Sequence, residues 1–316
     1  MGWRGRNFGF RISDLGFKIR NSQFTIRNSK SLFCLFCLLG TLAFPSPLHP
    51  QGRIVFGVVP FQSPSKSARM FMPLADYLSE KTVLKVDFVV APDFKVYQER
   101  MERGEYDITF SNPFQYIVAN SKAGYIAFAK VAREPFTGII LVRRDSGIKG
   151  VEELRGKTIA FAYPTAWAAA VQTRKWLEVN YGIDYYRDMK PRFVGSHDSA
   201  ILAVFTRVTD AAGAIPHEFR TMNEKVKREL VVIGETTPHP QMPFAHHPRL
   251  DKGIVEKIKR TLLALDRSTP EGRKILDALE REGFEEADDK EYDIVRALAD
   301  EYSKNGMPYA REFRWK

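Results

Sequence analysis

Cysteine is almost absent from this chain. The two present, Cys34 and Cys37, both lie ahead of residue 53. No disulfide framework can therefore hold the bulk of the protein together. A Cys-x-x-Cys pair inside an apolar run, with no other cysteine or histidine near it, also makes no zinc or redox site. No uncharged apolar stretch reaches the roughly 20 residues that a spanning helix needs. Glycine (21) and proline (18) are too few for a collagen or a low-complexity chain. No Gly-rich phosphate loop, Walker pattern or Gly-x-Ser-x-Gly elbow occurs, so nucleotide hydrolysis and serine esterase chemistry find no support.

A net charge of +10 over 316 residues invites a nucleic-acid reading. Its distribution argues against one. Residues 1–52 hold seven basic side chains (Arg4, Arg6, Arg11, Lys18, Arg20, Arg27 and Lys30) against one acid, Asp14. More than half of the excess thus precedes an apolar run instead of lying on a folded face, and nucleic acid is not an expected partner. The run at 31–44 follows Lys30 and is closed by Pro45, Pro47 and Pro50. Basic lead, short apolar core and the small residues Thr41 and Ala43 read as an export signal cleaved near Ala43, with a membrane anchor as the alternative. The expected segments are 1–52 for targeting, 53–140 and 239–316 for one lobe, and 141–238 for a second. The expected location is periplasmic or otherwise extracytoplasmic.

From Arg53 onward, short β-rich runs alternate with amphipathic stretches. Arg53–Val59, Leu84–Val90 and Tyr106–Phe110 read as strands, each followed by a helical pattern. The same alternation resumes through Gly138–Val142, Lys157–Ala162, Lys190–Val194, Asp210–Ile215 and Leu230–Gly234. Three helices fill the tail from Lys252 to Tyr302. Such alternation with short connections is the signature of an α/β fold. Two sets joined by extended stretches near Gly138–Arg144 and Thr236–Phe244 imply two lobes with a cleft. Ligands of open α/β sheets bind beyond the carboxyl ends of the strands. That rule points to loops 60–66, 111–113, 162–167, 195–198 and 210–213.

An ordered set of motifs then resembles the phosphonate/phosphate/phosphite-type solute-binding proteins of ABC transporters. It comprises MPLADYLSEK at 72–81, Asp107-Ile108, Asn112-Pro113 with Tyr116, RDSGI at 144–148, ELRGK at 153–157, Ser196-His197-Asp198 and Asp210-Ala211-Ala212. The resemblance implies the two-lobed type II periplasmic-binding-protein fold. Each lobe would be a mostly parallel sheet flanked by helices, with a C-terminal helical tail. It implies a monomer that captures a small oxyanion (phosphate, phosphite or a phosphonate) and delivers it to a membrane permease. It implies no catalysis, no cofactor and no metal. The rival readings are a sensing subunit for a membrane receptor or kinase, and a small-metabolite enzyme on the same fold.

The departures from the family pattern are informative. In the family, hydroxyls at a helix start hold the oxyanion beside backbone N–H groups at the positive end of the helix dipole. Here those positions carry Ala166, Trp167 and Ala168, with Thr165 the one hydroxyl nearby. Ser111 and Asn112 stand where an aromatic residue and a glycine are usual, and Asp93-Phe94 replaces an Asp-Tyr pair. The expected ligand contacts are Phe61, Ser111, Asn112, Thr165, Ala166, Trp167, His197, Asp198 and Asp210. For His197 and Asp198 the alternative is a helix cap. For Asp210 it is a turn, and for Trp167 the core. Ser196-His197-Asp198 cannot act as a triad, because adjacent residues do not converge. His239, His246 and His247 lack metal-ligand spacing and are expected to be exposed or packed at the hinge.

Overall fold

The protein is described by a computed structural model covering residues 52–304 and 310–315. The expected export signal, Cys34 and Cys37 lie outside the described residues. In the first half, β1 (Arg53–Val58), β2 (Lys85–Val90), β3 (Ile108–Phe110) and β4 (Ile126–Val131) alternate with α1 (Pro64–Thr82), α2 (Phe94–Glu102) and α3 (Pro113–Ala123). The second half holds β5 (Ile139–Arg143), β6 (Thr158–Phe161), α4 (Thr173–Tyr181), β7 (Lys190–Phe193), α5 (His197–Phe205), β8 (Ala211–Ala214), α6 (Pro216–Arg220), α7 (Glu224–Glu229) and β9 (Leu230–Glu235). The chain then returns through β10 (Pro243–His246), α8 (Lys252–Leu263), α9 (Pro270–Leu279), β11 (Phe284–Glu286) and α10 (Asp293–Tyr302). Three helices in the tail match the periodicity of the sequence.

Two sheets result, ordered β11-β4-β10-β3-β1-β2 and β7-β6-β8-β5-β9. As expected, most strands of each sheet run in one direction: β1 to β4 in the first, with β10 and β11 opposed, and β6 to β9 in the second, with β5 opposed. β1 pairs in parallel with β2 and β3, and β6 with β7 and β8. β10 is antiparallel to β3 and β4, β11 to β4, and β5 to β8 and β9. The reason is the route of the chain. Helical crossovers return strands in parallel, whereas β5 and β10 arrive from the other sheet by extended connectors and run the opposite way.

Those connectors span 132–138 and 236–242 and lie side by side. His239 N–H donates to the Phe136 carbonyl at 3.1 Å, and Thr236 N–H to that of Gly138 at 2.9 Å. Gly138 N–H donates in turn to Thr236 Oγ1 at 2.9 Å. The first crossing therefore comes earlier than the sequence implies, because the apolar run after Gly138 is already β5.

Local chemistry sets the element starts that matter for the site. Asn112 caps α3 with its side chain, accepting from Gln115 N–H at 2.9 Å, while Gln115 Oε1 accepts from Asn112 N–H. This reciprocal pair satisfies two otherwise unpaired donors of the first turn. Ser196 caps α5 by accepting from Ser199 N–H at 3.1 Å. The chain after β6 enters helix through a π-helical segment, Trp167–Gln172, which runs into α4.

Two glycines let this segment press against the sheet. A Cβ on Gly213 of β8 would stand 2.1 Å from the Phe161 ring and 2.4 Å from the Ala169 carbonyl. One on Gly138 would stand 2.1 Å from the Ala168 carbonyl. No other residue fits such a close approach of backbone to backbone.

Candidate functional site

The carboxyl ends of the strands from both sheets meet around a small cavity of about 20 Å³, space for a single water-sized group. The β1 end contributes Val59 and Phe61, the β3 end Asn112, and the segment after β6 Ala166–Ala169. The start of α5 brings His197, the region after β8 brings Ile215 and Glu218, and the connectors bring Phe136 and Met242. Phe94 from the start of α2 completes the wall. Most of this lining is apolar and no lysine or arginine belongs to it. The side-chain polar groups are those of Asn112, His197 and Glu218, plus the indole N–H of Trp167.

Each of these groups is constrained. Asn112 commits its carbonyl oxygen to the α3 cap, which leaves its amide N–H groups outside that bond. His197 is 6 % exposed, and its Nδ1 has no partner. Burial pulls its pKa down to about 4, so at neutral pH the ring is an uncharged imidazole. Glu218 is fully buried; Gln62 Nε2 donates to its Oε2, and its Oε1 has no partner. Desolvation raises its pKa to about 8. Trp167 Nε1 donates to His239 Nδ1 at 3.2 Å, tying the helix start to the second connector.

The helix start supplies further donors. Ala166 N–H donates to the Tyr163 carbonyl at 3.1 Å and is spent there. The next N–H groups, from Trp167 to Ala169, belong to a first turn and have no acceptor within the helix. They sit at its positive end, and Trp167, Ala168 and Ala169 are among the residues that line the cavity.

Several contacts join the two halves around the cavity. Besides Gln62 with Glu218, Lys66 Nζ donates to Thr221 Oγ1 at 3.1 Å. The rings of Phe94 and Tyr163 lie 4.2 Å apart, and those of Phe114 and Trp167 are parallel at 6.3 Å.

Of the residues expected from sequence, the cavity gathers Phe61, Asn112, Ala166, Trp167 and His197. Four stand elsewhere. Asp210 is exposed at the amino end of β8, where its carboxylate accepts from Thr158 N–H at 2.7 Å. The cavity lies at the carboxyl end of the same strand, so the strand's own direction places Asp210 away from its wall. Thr165 faces a different groove, with Phe94 and Tyr163. Ser111 is buried, with no partner for its hydroxyl, but is not part of the wall. Asp198 follows His197 on α5 without lining the cavity, and Ser196 is the cap.

Glu218 and Gln62 escape the sequence reading. A Pro-His-Glu start beyond an apolar strand was their available signal, since it places an acid just past a carboxyl end. Among the described residues no group of three or more His, Cys, Asp or Glu is arranged to hold a metal ion. His239 packs against the connectors, and its pKa is pulled down to about 4 by burial.

Comparison with known proteins bears on this geometry. A family model described as "ABC transporter, phosphonate, periplasmic substrate-binding protein" matches residues 56–292. The phosphate-import protein PhnD of Mycolicibacterium smegmatis is 26 % identical over 285 residues, covering 78 % of this chain and 85 % of that protein. The phosphonates-binding periplasmic protein of Escherichia coli is 23 % identical over 273 residues, covering 83 % and 80 % respectively. The structure of PhnD1 from Prochlorococcus marinus in complex with methylphosphonate superposes with a TM-score of 0.73 at 16 % identity. It covers 79 % of this chain and 98 % of that one.

Proposed function

The chain belongs to the periplasmic substrate-binding proteins of phosphonate-type ABC transporters, and from that premise we propose that it holds a small oxyanion between its two lobes and presents it to a membrane permease. The lobes are taken as 53–131 with 243–304, and 139–235, joined by the two connectors. The observation that carries the reading is the helix start at Trp167–Ala169. Its residues line a small, mostly apolar cavity between the sheets, and its first-turn N–H groups are the donors assigned to the anion. An oxyanion needs the lobes to stand further apart than here, where the cavity takes only a water-sized group.

The relatives bind phosphate or phosphonates, as their names state. Here the anion is held by backbone N–H groups and neutral side-chain donors, since Ala166, Trp167 and Ala168 carry no hydroxyl. A hydrogen bond to a charged group contributes about 1.5–3 kcal/mol. Four such bonds sum to about 6–12 kcal/mol, the range in which a micromolar complex, at about 8 kcal/mol, falls. The site calls for capture and release, and the reading assigns no catalysed reaction to it. The basic lead and apolar run before Pro45 fit export to the permease's side of the membrane.

Calorimetry with phosphate, phosphite, methylphosphonate, methanesulfonate and nitrate tests the reading. At least one should bind with micromolar or tighter affinity and stabilise the protein by mass action. Small-angle scattering should show compaction on binding. A protein that binds none of these anions is not the anion carrier proposed here. Mass spectrometry of the exported protein should find its first residue between Ala43 and Arg53; an intact Met1 on cytosolic protein would contradict export.

A further inference from the structure

Glu218 stands on the cavity wall, three residues into a chain segment that starts with Pro216. It is fully buried, and one of its carboxyl oxygens has no partner. A carboxylate in that position would have no cation in direct contact with it among the described residues. Arg281, after α9, donates to Glu134 at 2.8 Å, and Lys66 of α1 to Thr221. From the elements packed around it, Asp198 of α5 and Glu280 at the end of α9 oppose a negative charge, while Arg281 and Lys66 favour one more weakly than burial disfavours it. His197 and His217 beside it are both kept neutral by burial.

We propose that Glu218 keeps its proton in the ligand-free cleft and donates it as a hydrogen bond to one oxygen of the bound oxyanion, so that it selects for anions that can accept a proton-bearing partner. The inference rests on the anion-carrier reading above and deepens it. Two features support donation over the alternative, a carboxylate pairing with an amine on the ligand. Trp167–Ala169 and Glu218 line the same small cavity, so an anion taken up between the lobes beside the helix start also meets Glu218. And a carboxylate beside a captured anion, in a wall without lysine or arginine, would repel it strongly at low dielectric. Burial, which raises the pKa of Glu218 to about 8, keeps it in the donor form at neutral pH.

The sign follows. The ligand binds the protonated form, so affinity is full a unit or more below pH 8 and halved at pH 8. Above it affinity falls by about tenfold for each pH unit, because the proton must be taken up from solution on binding. Glu218→Gln retains a donor of similar shape that cannot titrate.

The experiment is calorimetry of the wild type and Glu218→Gln from pH 6 to pH 9, with phosphate, phosphite, methylphosphonate and methanesulfonate as probes. Each is run in two buffers of different ionisation enthalpy, and circular dichroism checks the fold. Taking the ratio of the two proteins at each pH cancels ionisation of the probe itself. The wild type should lose affinity relative to the variant above pH 8 and take up one more proton per anion bound. Infrared spectroscopy of ligand-free protein at pH 7 should show a protonated-carboxyl band that the variant lacks. If both proteins share one pH dependence and proton count, Glu218 is no donor, although the carrier reading stands. If wild-type affinity rises with pH while the variant binds poorly, Glu218 is an acceptor and the proposal fails. If no probe binds either protein, the carrier reading fails and takes the donor role with it.

Discussion

The indole N–H of Trp167 points to His239 Nδ1 at 3.2 Å, so the first residue of the π-helical segment is fastened to the second of the two connectors. The cavity lining and the connectors share this bond. Because burial holds His239 neutral, with its pKa pulled down to about 4, Nδ1 can act as acceptor.

Replacing the tryptophan tests that link. Trp167→Phe keeps an aromatic body against Phe114 but removes the N–H and part of the packing. A neutral hydrogen bond contributes about 1 kcal/mol, and the trimmed ring adds a similar loss. Urea unfolding should show a destabilisation of roughly 1–3 kcal/mol, and anion affinity should fall with it. An unchanged midpoint and affinity would show that the bond carries neither stability nor site geometry.

The close packing of the helix start depends on Gly213. A methyl there meets the Phe161 ring and the Ala169 carbonyl well inside contact distance. Gly213→Ala should cost about 1–3 kcal/mol through overpacking and shift Trp167–Ala169 enough to weaken binding. A crystal structure of a variant that melts and binds like the wild type would show that the segment relaxes freely, contrary to this expectation.

Backbone donors, not the nearby hydroxyl, should hold the anion. Thr165 lies in a separate groove, whereas Ala168 is on the cavity wall. Thr165→Ala should change affinity by no more than about tenfold, the worth of one hydrogen bond. Ala168→Asp, which sets a like charge at the positive helix end, should abolish measurable binding. The reverse ranking in calorimetry would move the anion away from this helix start.

Buried histidines should make the protein acid-sensitive. His197 has its folded pKa depressed to about 4 from an ordinary 6.5, and so has His239. The folded state therefore prefers the neutral ring. This stability is full above pH 6.5 and is lost as pH falls toward 4, by an amount on the order of a few kcal/mol for a buried ring. Thermal melts of His197→Gln should fall less between pH 7 and pH 4.5 than those of the wild type. Parallel slopes would mean that His197 is protonated in the folded protein.

The sequence determined the alternation of strands and helices, the starts of α3 and α5, and the loss of hydroxyls at the helix after β6. Those features are local: β-branched runs, an Asn-x-x-Gln pair and a serine before a helix act on their own neighbours. It also marked Phe61, Asn112, Ala166, Trp167 and His197, all at carboxyl ends of strands. What it left open depended on residues far apart in the chain. β4, β10 and β11 were missed, because short strands that take their pairing from segments more than a hundred residues away carry little pattern of their own. Strand direction separated Asp210 from the site, since an acid at a strand's amino end lies a full strand length from the other end. Glu218 became a proton-holding group only when Gln62, from a loop 156 positions earlier, and the apolar wall closed around it. Desolvation is a property of the assembled cavity, and no local pattern of residues can specify it.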